Sequence, residues 1–457
     1  MISNNTIDSA IVQNMDKEKM DNEAKRSGNR AFEAVKPKCI AIIGAGPAGM
    51  TAAITAYNTL QRNNISPEKY RIIIFEANSE AGKKLKATGN GKCNFTNLNQ
   101  KPDFYFSDDS EKVNRILNKF DEKSCIDFYK RIGIPFRERN GYCYPYSEDA
   151  SEVRDCFVKK TESIAKFFYG KRIKHIFLPD SANGFRLVAS DKEEFFADRV
   201  IVCCGGLSYQ CFGSNGDGFF MAKELGLEVT DTYPALSGLT CSDKICKALD
   251  GVRIQAEITL ACESTDPENK NEKVLYKEAG EIIFNNSGLS GIPVMNSSRL
   301  AINALNKGKK VKMLIDFAPD FSSDEVTEYL NSYKDLNEFA ESNALLKKKV
   351  SDCFREYLIQ FEGSMKKDEV FVRLKEMIKN LELEIKSYGG FDKAQVTQGG
   401  VSLKALNDSL ESPKIKGLYF AGENVNVDGI CGGYNLQWAY SSGCVAGENA
   451  AETMMVE

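Results

Sequence analysis

Lys38 to Leu60 read KCIAIIGAGPAGMTAAITAYNTL, and no other stretch restricts the fold so tightly. Cys39–Ile43 is a short apolar run suited to a strand buried on both faces. Gly44-Ala45-Gly46-Pro47-Ala48-Gly49 then supplies the G-x-G-x-x-G turn. Gly44 permits the tight turn, Gly46 lets a pyrophosphate approach the backbone, and Gly49 lets the following helix lie close to the strand. The Ala/Thr-rich run from Met50 to Leu60 predicts that helix, whose first amides offer donors and partial positive charge to phosphate. The next apolar run, YRIIIFEAN, carries Glu76 near its end, an acid able to accept both ribose hydroxyls of an adenosine. The insertion QRNNISPEKY sets it farther along than the usual ~20 residues. At this point the nucleotide is either NAD or FAD.

A second glycine-bearing anchor closes the chain. Gly417–Ala421 reads as another buried strand, followed by Gly422 and Glu423. Gly432-Gly433-Tyr434-Asn435 then opens a helix on which Ala439, Gly443, Ala446 and Ala450 recur at helical spacing. That small-residue face predicts close packing. The start of this helix, Gly433 to Gln437, suits the negative charge that a reduced flavin carries near N1 and C2. A plain NAD enzyme has no need of so distant a segment.

Composition narrows the remainder. Hydrophobic residues make up 42% and charged residues 27% of 457 positions, as in a soluble protein with a sizeable core. The net charge of −4 does not favour nucleic acid as a whole-molecule partner. No apolar run approaches the ~18 residues of a membrane span, and residues 1–37 read as a polar, disordered tail without a signal peptide, so a cytoplasmic protein is expected. The 14 cysteines form no disulfide or metal framework, and with His175 the single histidine, His-based chemistry is limited to that one lone His and multi-His metal sites are excluded. No metal is expected.

The pieces IIGAGPAGMTAA, GKKLKATGNGKCNFTN, CCGGLSYQCFGSNGDG, GEIIFNNSGLSGIPV, VTQGGV and GLYFAGENVNVDGICGGYNLQWAYSSG together resemble the BaiN/RdsA family of FAD-dependent oxidoreductases, which includes aminoacetone oxidase-like flavoproteins. The resemblance implies an α/β fold in which a Rossmann-like FAD-binding domain is interrupted by an inserted β-barrel-like plus helical substrate domain. The expected boundaries are 38–234 and 393–457 for the FAD-binding parts and 235–392 for the insert, β-rich over 235–320 and helical over 321–388.

The resemblance also implies the cofactor contacts. Gly44, Gly46, Pro47, Ala48 and Gly49 hold the pyrophosphate, with Glu76 and Ala77 at the adenosine. Lys83, Lys84, Thr88, Asn90, Gly91, Lys92, Cys93 and Asn94 wrap the flavin, because successive Gly and Asn residues accept left-handed backbone and form nests of N–H groups. Gly205 and Gly206 come from the re-entering strand. Gly422, Glu423, Gly433, Tyr434, Asn435 and Leu436 complete the ring end. Cys93 is either a small packing residue or a proton-donating thiol.

The activity implied is hydride transfer through flavin N5, reducing a conjugated C=C. The substrate is a small-molecule enone or uridine in ribosomal RNA, which becomes dihydrouridine. The rivals are an amine oxidase using O2 and a non-catalytic FAD-binding protein. Proton-donor candidates are Cys93, Tyr434, Cys431 and Tyr144. Relatives commonly carry Thr-His where this chain has Asn285-Asn286, so no imidazole acts there. NKGKKVKM and LLKKKV are candidate RNA-tracking runs, although lysine runs usually form solvated faces. No second complete dinucleotide turn follows a strand, so NAD(P)H docks transiently or another donor reduces the flavin. Oligomeric state is not legible.

Overall fold

The computed structural model describes residues 36–180, 184–263, 272–360 and 366–456; most of the expected tail lies outside them. A five-stranded sheet carries the nucleotide half. Its strands are β1 (Lys38–Ile43), β2 (Tyr70–Glu76), β3 (Lys166–Tyr169), β4 (Arg199–Val202) and β5 (Leu418–Phe420), in the order β5-β4-β1-β2-β3. All four pairings are parallel. Parallel neighbours require crossovers, and helix α1 (Pro47–Arg62) provides the one from β1 to β2. The order reverses at β1, whose neighbours β2 and β4 lie on opposite sides. Ligands of open α/β sheets bind at such a switch point, outside the carboxyl ends of the strands.

The chain leaves this half through Tyr233–Ala235 and returns through Val396–Gln398, and these two strands pair antiparallel with Ala235 opposite Val396. Between them stands a closed six-stranded antiparallel barrel. The two halves have separate apolar cores, one around β1, β2, β4 and the C-terminal helix, the other inside the barrel and its covering helices. Helix α2 (Ile292–Asn306) starts with Pro293 in its first turn, where a missing N–H costs nothing.

The helical reading of 321–388 runs too far. Helices Ser323–Asn331, Leu336–Ser342, Lys348–Ile359 and Lys367–Asn380 are present, but Leu381–Tyr388 is a barrel strand between Val311–Asp316 and Leu239–Cys241. Its residues LELEIKSY bury Leu383 and Ile385 and turn Glu382, Glu384 and Lys386 outward, a period of two that charged residues disguise as a continuing amphipathic helix.

Helix α3 (Tyr434–Val456) ends the described chain. Its small residues lie directly on α1. A Cβ on Gly443 would sit 2.3 Å from the Ala48 carbonyl oxygen, and one on Gly447 would sit 2.3 Å from that of Ala52. The two helices therefore approach backbone to backbone.

Candidate functional site

A cavity of about 550 Å³ runs along the switch point, and both α1 and α3 begin on it. At one end lie Gly44, Ala45, Gly46, Pro47 and Ala48. Gly46 caps α1 in extended backbone without a side-chain hydrogen bond, and a Cβ there would meet nothing within 4 Å. The first amides of α1 thus face open space rather than protein. Gly44 and Gly49 differ: their added Cβ atoms would lie 2.4 Å from Cys203 O and 2.0 Å from Gly44 O. Gly49 is a packing glycine and does not line the cavity.

Glu76 ends β2 beside this turn. Its Oε2 accepts from the Ala45 amide at 3.1 Å and its Oε1 from the Asn78 amide at 2.7 Å. The carboxylate is fixed in place, with lone pairs remaining for ribose hydroxyls. Ala77 and Asn78 line the same end.

The segment after β2 wraps the cavity as the glycine–asparagine pattern predicts. Gly89, Asn90, Gly91 and Cys93 all have positive φ. Lys83, Lys84, Thr88, Asn90 and Asn94 line the cavity, and the Asn94 Oδ1 is buried with no hydrogen-bond partner among the described residues. Gly91, Lys92 and Cys93 do not line it. Lys92 instead pairs with Glu148 at 3.1 Å. Cys93 is fully buried in a cluster with Phe95 and Tyr129, and burial pushes its thiol up to about 12. Of its two readings, the structure supports packing; the proton-donor reading is corrected.

Behind the wrap, Lys84 donates to Glu423 at 2.7 Å and to Ser208 at 2.6 Å. Burial alone would raise the Glu423 carboxyl, but Lys84, Ser208 and the Thr397 amide outweigh it and hold it below the ordinary value. Lys84 is therefore a locking residue, with its charge already neutralised. Gly205 lines the cavity. Gly206 does not: a Cβ there would meet Thr397 Oγ1 at 2.5 Å.

At the far end Gly422, Cys431, Gly432, Gly433, Asn435 and Leu436 form the lining. Asn435 spends its amide on both backbone groups of Gly429, at 2.8 Å each, which shapes the turn before α3. Tyr434 faces away. Its ring packs edge-on against Phe104 and Tyr105, and its hydroxyl donates to the Asn99 carbonyl at 3.2 Å. It neither lines the cavity nor can serve there as proton donor. Cys431 does line it, with burial pushing its thiol up to about 12.

The insert closes this end with residues the sequence did not name individually, although Ile292 and Val396 lie in the quoted pieces GEIIFNNSGLSGIPV and VTQGGV. Leu236 and Gln395 sit at the two chain crossings, Val396 follows, and Ile292 and Met295 come from the first turns of α2. Tyr142 and Tyr144 face them from the Tyr142–Pro145 strand. Asn285 and Asn286 do not line the cavity; the Asn285 side chain accepts from the Ser287 amide in its own turn. Asn296 joins the halves, donating to Glu278 at 3.0 Å and accepting from the Cys431 amide at 2.8 Å. Of the two crossings only the return carried a quoted piece, VTQGGV, and no residue of it was named as a site residue. Only the alternation of Tyr142 and Tyr144 along one strand face could have signalled that wall.

The donor set fits FAD: open backbone at Gly46, an anchored acid at Glu76, an orphan acceptor at Asn94, and two helix N-termini along one elongated cavity. Among the described residues no group of three or more His, Cys, Asp or Glu is placed to hold a metal ion. No helix among them is long and apolar enough to cross a membrane.

Residues 38–449 match the HI0933-like protein Rossmann domain family. A 3-dehydro-bile acid delta(4,6)-reductase of Clostridium scindens is 34% identical over 426 residues, covering 90% of this chain and 99% of the relative. A ribosomal RNA dihydrouridine synthase of Haemophilus influenzae is 27% identical over 409 residues, covering 88% of this chain and 95% of the relative. Among solved structures, the open conformation of a flavocytochrome c3 fumarate reductase aligns with 95% of this chain and 81% of its own, at 15% identity and a TM-score of 0.47. With the family match spanning nearly the whole described chain, the protein belongs to the HI0933-like family, the BaiN/RdsA group of FAD-dependent oxidoreductases.

Proposed function

We propose that this chain reduces a carbon–carbon double bond conjugated to a carbonyl in a small, largely apolar molecule, with NAD(P)H as the transient reductant. The observation that carries the reading is the composition of the insert end of the cavity. Leu236, Ile292, Met295 and Val396 face Tyr142 and Tyr144, and no cation stands among them. The cations that do line the cavity are Lys83, Lys84, Lys171 and Arg172, and the last three are paired with Glu423, with Asp191 and Glu193, and with Asp217. Such a wall favours a flat apolar ligand over a phosphate-bearing strand, which needs unpaired basic groups to track its backbone. Part of the charge on the lysine runs is already paired: Lys310 with Glu263, Lys312 with Glu272 and Glu382, and Lys348 with Asp352.

FAD, when bound, supplies hydride chemistry through N5. The chain does the rest. The first turn of α1 and Glu76 would hold the nucleotide, and the Asn94 oxygen would be free to accept a hydrogen bond from the cofactor. The first turn of α3 presents its dipole to the ring end. The insert excludes water from the far end of the cavity.

The experiment reduces the FAD-loaded protein with NADPH under anaerobic conditions. It then adds, in separate arms, a steroid 4-en-3-one, ribosomal RNA lacking dihydrouridine, or aminoacetone with air. Reoxidation by the enone with loss of its conjugated absorbance is the expected result. Dihydrouridine formation without enone turnover would replace the substrate, and peroxide release with aminoacetone alone would replace the reaction.

A further inference from the structure

Tyr142 lies where the wrap, the turn before α3 and the insert meet. Its strand pairs with Thr96–Asn97 on one side, placing Tyr142 opposite Asn97, and with Phe136–Arg139 on the other, placing it opposite Arg139. Asn97 donates from Nδ2 to the Gly432 carbonyl at 3.1 Å, tying this ladder to the α3 turn. The Tyr142 ring lies on that turn. Gly432 has a φ of +127°, and a Cβ there would stand 3.1 Å from Tyr142 Cε1. Only a hydrogen at position 432 gives the ring this seat. Two independent backbone elements thus fix one phenol against the stretch of cavity next to the first turn of α3.

The Tyr142 hydroxyl has no hydrogen-bond partner among the described residues, although the side chain is half-buried. Burial raises its proton affinity, and Tyr144, Cys431 and Glu278 nearby raise it further, so the phenol stays protonated at neutral pH. The alternatives are worse placed. Cys93 is in the core, and the Tyr434 hydroxyl is bonded to Asn99. Tyr144 is two residues along the strand, about 6–7 Å farther from the turn. The Cys431 thiol is a poor hydrogen-bond donor at the level to which burial has pushed it.

We infer that Tyr142 is the proton donor that completes reduction of the conjugated double bond, an inference that rests on the substrate reading above. As hydride from the reduced cofactor adds to the β-carbon, the electron pair of the double bond moves onto the α-carbon and its carbonyl. The Tyr142 O–H bond breaks, its proton forms the new C–H bond at the α-carbon, and the tyrosinate recovers a proton from water entering past Tyr144. One hydride and one proton are consumed per double bond, and the tyrosine is unchanged after the cycle.

The test uses Tyr142→Phe, which keeps the ring on Gly432, in the full-length FAD-loaded protein. FAD retention, the rate of flavin bleaching by NADPH, and the spectral titration of oxidised enzyme with the steroid 4-en-3-one should match wild type. Reoxidation of the reduced enzyme by that enone should slow by about 100-fold or more, the scale of a lost general acid. Tyr144→Phe and Cys431→Ser, which alter the lining of the same cavity, should each slow it less than Tyr142→Phe does. As a second probe, 3,5-difluorotyrosine at position 142, a more acidic phenol, should move the alkaline limb of the reoxidation rate to lower pH. This probe decides the matter if Tyr142→Phe loses FAD. An unmoved limb, a Phe variant within about threefold of wild type, or the loss appearing in Tyr144→Phe instead overturns the proposal alone. Wild-type enzyme that no enone reoxidises overturns the substrate reading and this proposal with it.

Discussion

Two glycines three positions apart serve opposite purposes, and substitution separates them. Gly46 has φ −81° and open space where a Cβ would point, so alanine there strains nothing in the protein. The added methyl instead occupies the approach to the α1 amides. Gly46→Ala should keep its melting temperature within about 1–2 °C of wild type without cofactor, yet bind FAD at least about tenfold more weakly, a loss near 1.4 kcal/mol. Gly49→Ala places its Cβ 2.0 Å from the Gly44 carbonyl oxygen and must push helix from strand. It should cost about 1–3 kcal/mol of stability before any cofactor is added. Calorimetry of both apoproteins, followed by fluorescence titration with FAD, reads the difference; equal destabilisation of the two would remove the assignment of Gly46 to the cofactor. Both glycines were legible because the dinucleotide turn is written in consecutive residues. Cys93 was not, because its burial depends on Tyr129, remote in sequence, which packs beside it. Tyr434 was misplaced for a similar reason: its rotation onto Asn99, Phe104 and Tyr105 is fixed by tertiary neighbours.

Between elements, the join of insert and nucleotide half is partly ionic and buried. Asp428 lies in the Val427–Gly429 strand opposite Phe106, and Arg299 of α2 reaches it at 3.3 Å while resting over the Phe106 ring. The Asp428 Oδ1 has no hydrogen-bond partner among the described residues. Burial pushes this carboxyl up to about 7, against the pull of Arg299 and with a push from Glu423. The unfolded chain protonates the same group near 3.9. The folded state therefore holds more protons between about pH 4 and 7, and stability falls as pH rises through that window, then levels off. The contribution is about 4 kcal/mol at most, taking 1.36 kcal/mol per pK unit. Asp428→Asn retains the shape and cannot titrate. Melting curves at pH 5 and pH 7.5 should show a smaller fall in the variant than in wild type; an identical fall would assign the pH dependence to other groups. Nothing in the sequence marked this pair, since α2 and the Val427–Gly429 strand meet only in the folded chain.

At the scale of the molecule, the chain places a self-contained barrel between two halves of a sheet and routes both connections past the cavity. Four strands of the sheet were legible because buried parallel strands are apolar runs followed by glycine turns; the edge strand Lys166–Tyr169, with both ends exposed, was not. The barrel was half legible: short strands showed, but the alternation in LELEIKSY was read as helix. The walls of the substrate end were not legible, because Leu236, Gln395 and Val396 gain meaning only when two crossings 160 residues apart become neighbours. That adjacency makes a strong test possible. Each half has its own core, and Ala235 already lies opposite Val396, so a tight turn can replace residues 237–394 without stretching the sheet. The shortened protein should fold and retain FAD, more weakly, because its nucleotide end and both helix N-termini remain. It loses Ile292, Met295, the Asn296–Cys431 bond and the Arg299–Asp428 pair, leaving the ring end open to water and oxygen. Enone reduction should drop below about 1% of wild type while NADPH-driven peroxide formation rises, measured together in one oxygen-electrode and absorbance assay. Retained enone turnover would mean that the nucleotide half alone builds the substrate site, and the insert would then need another role.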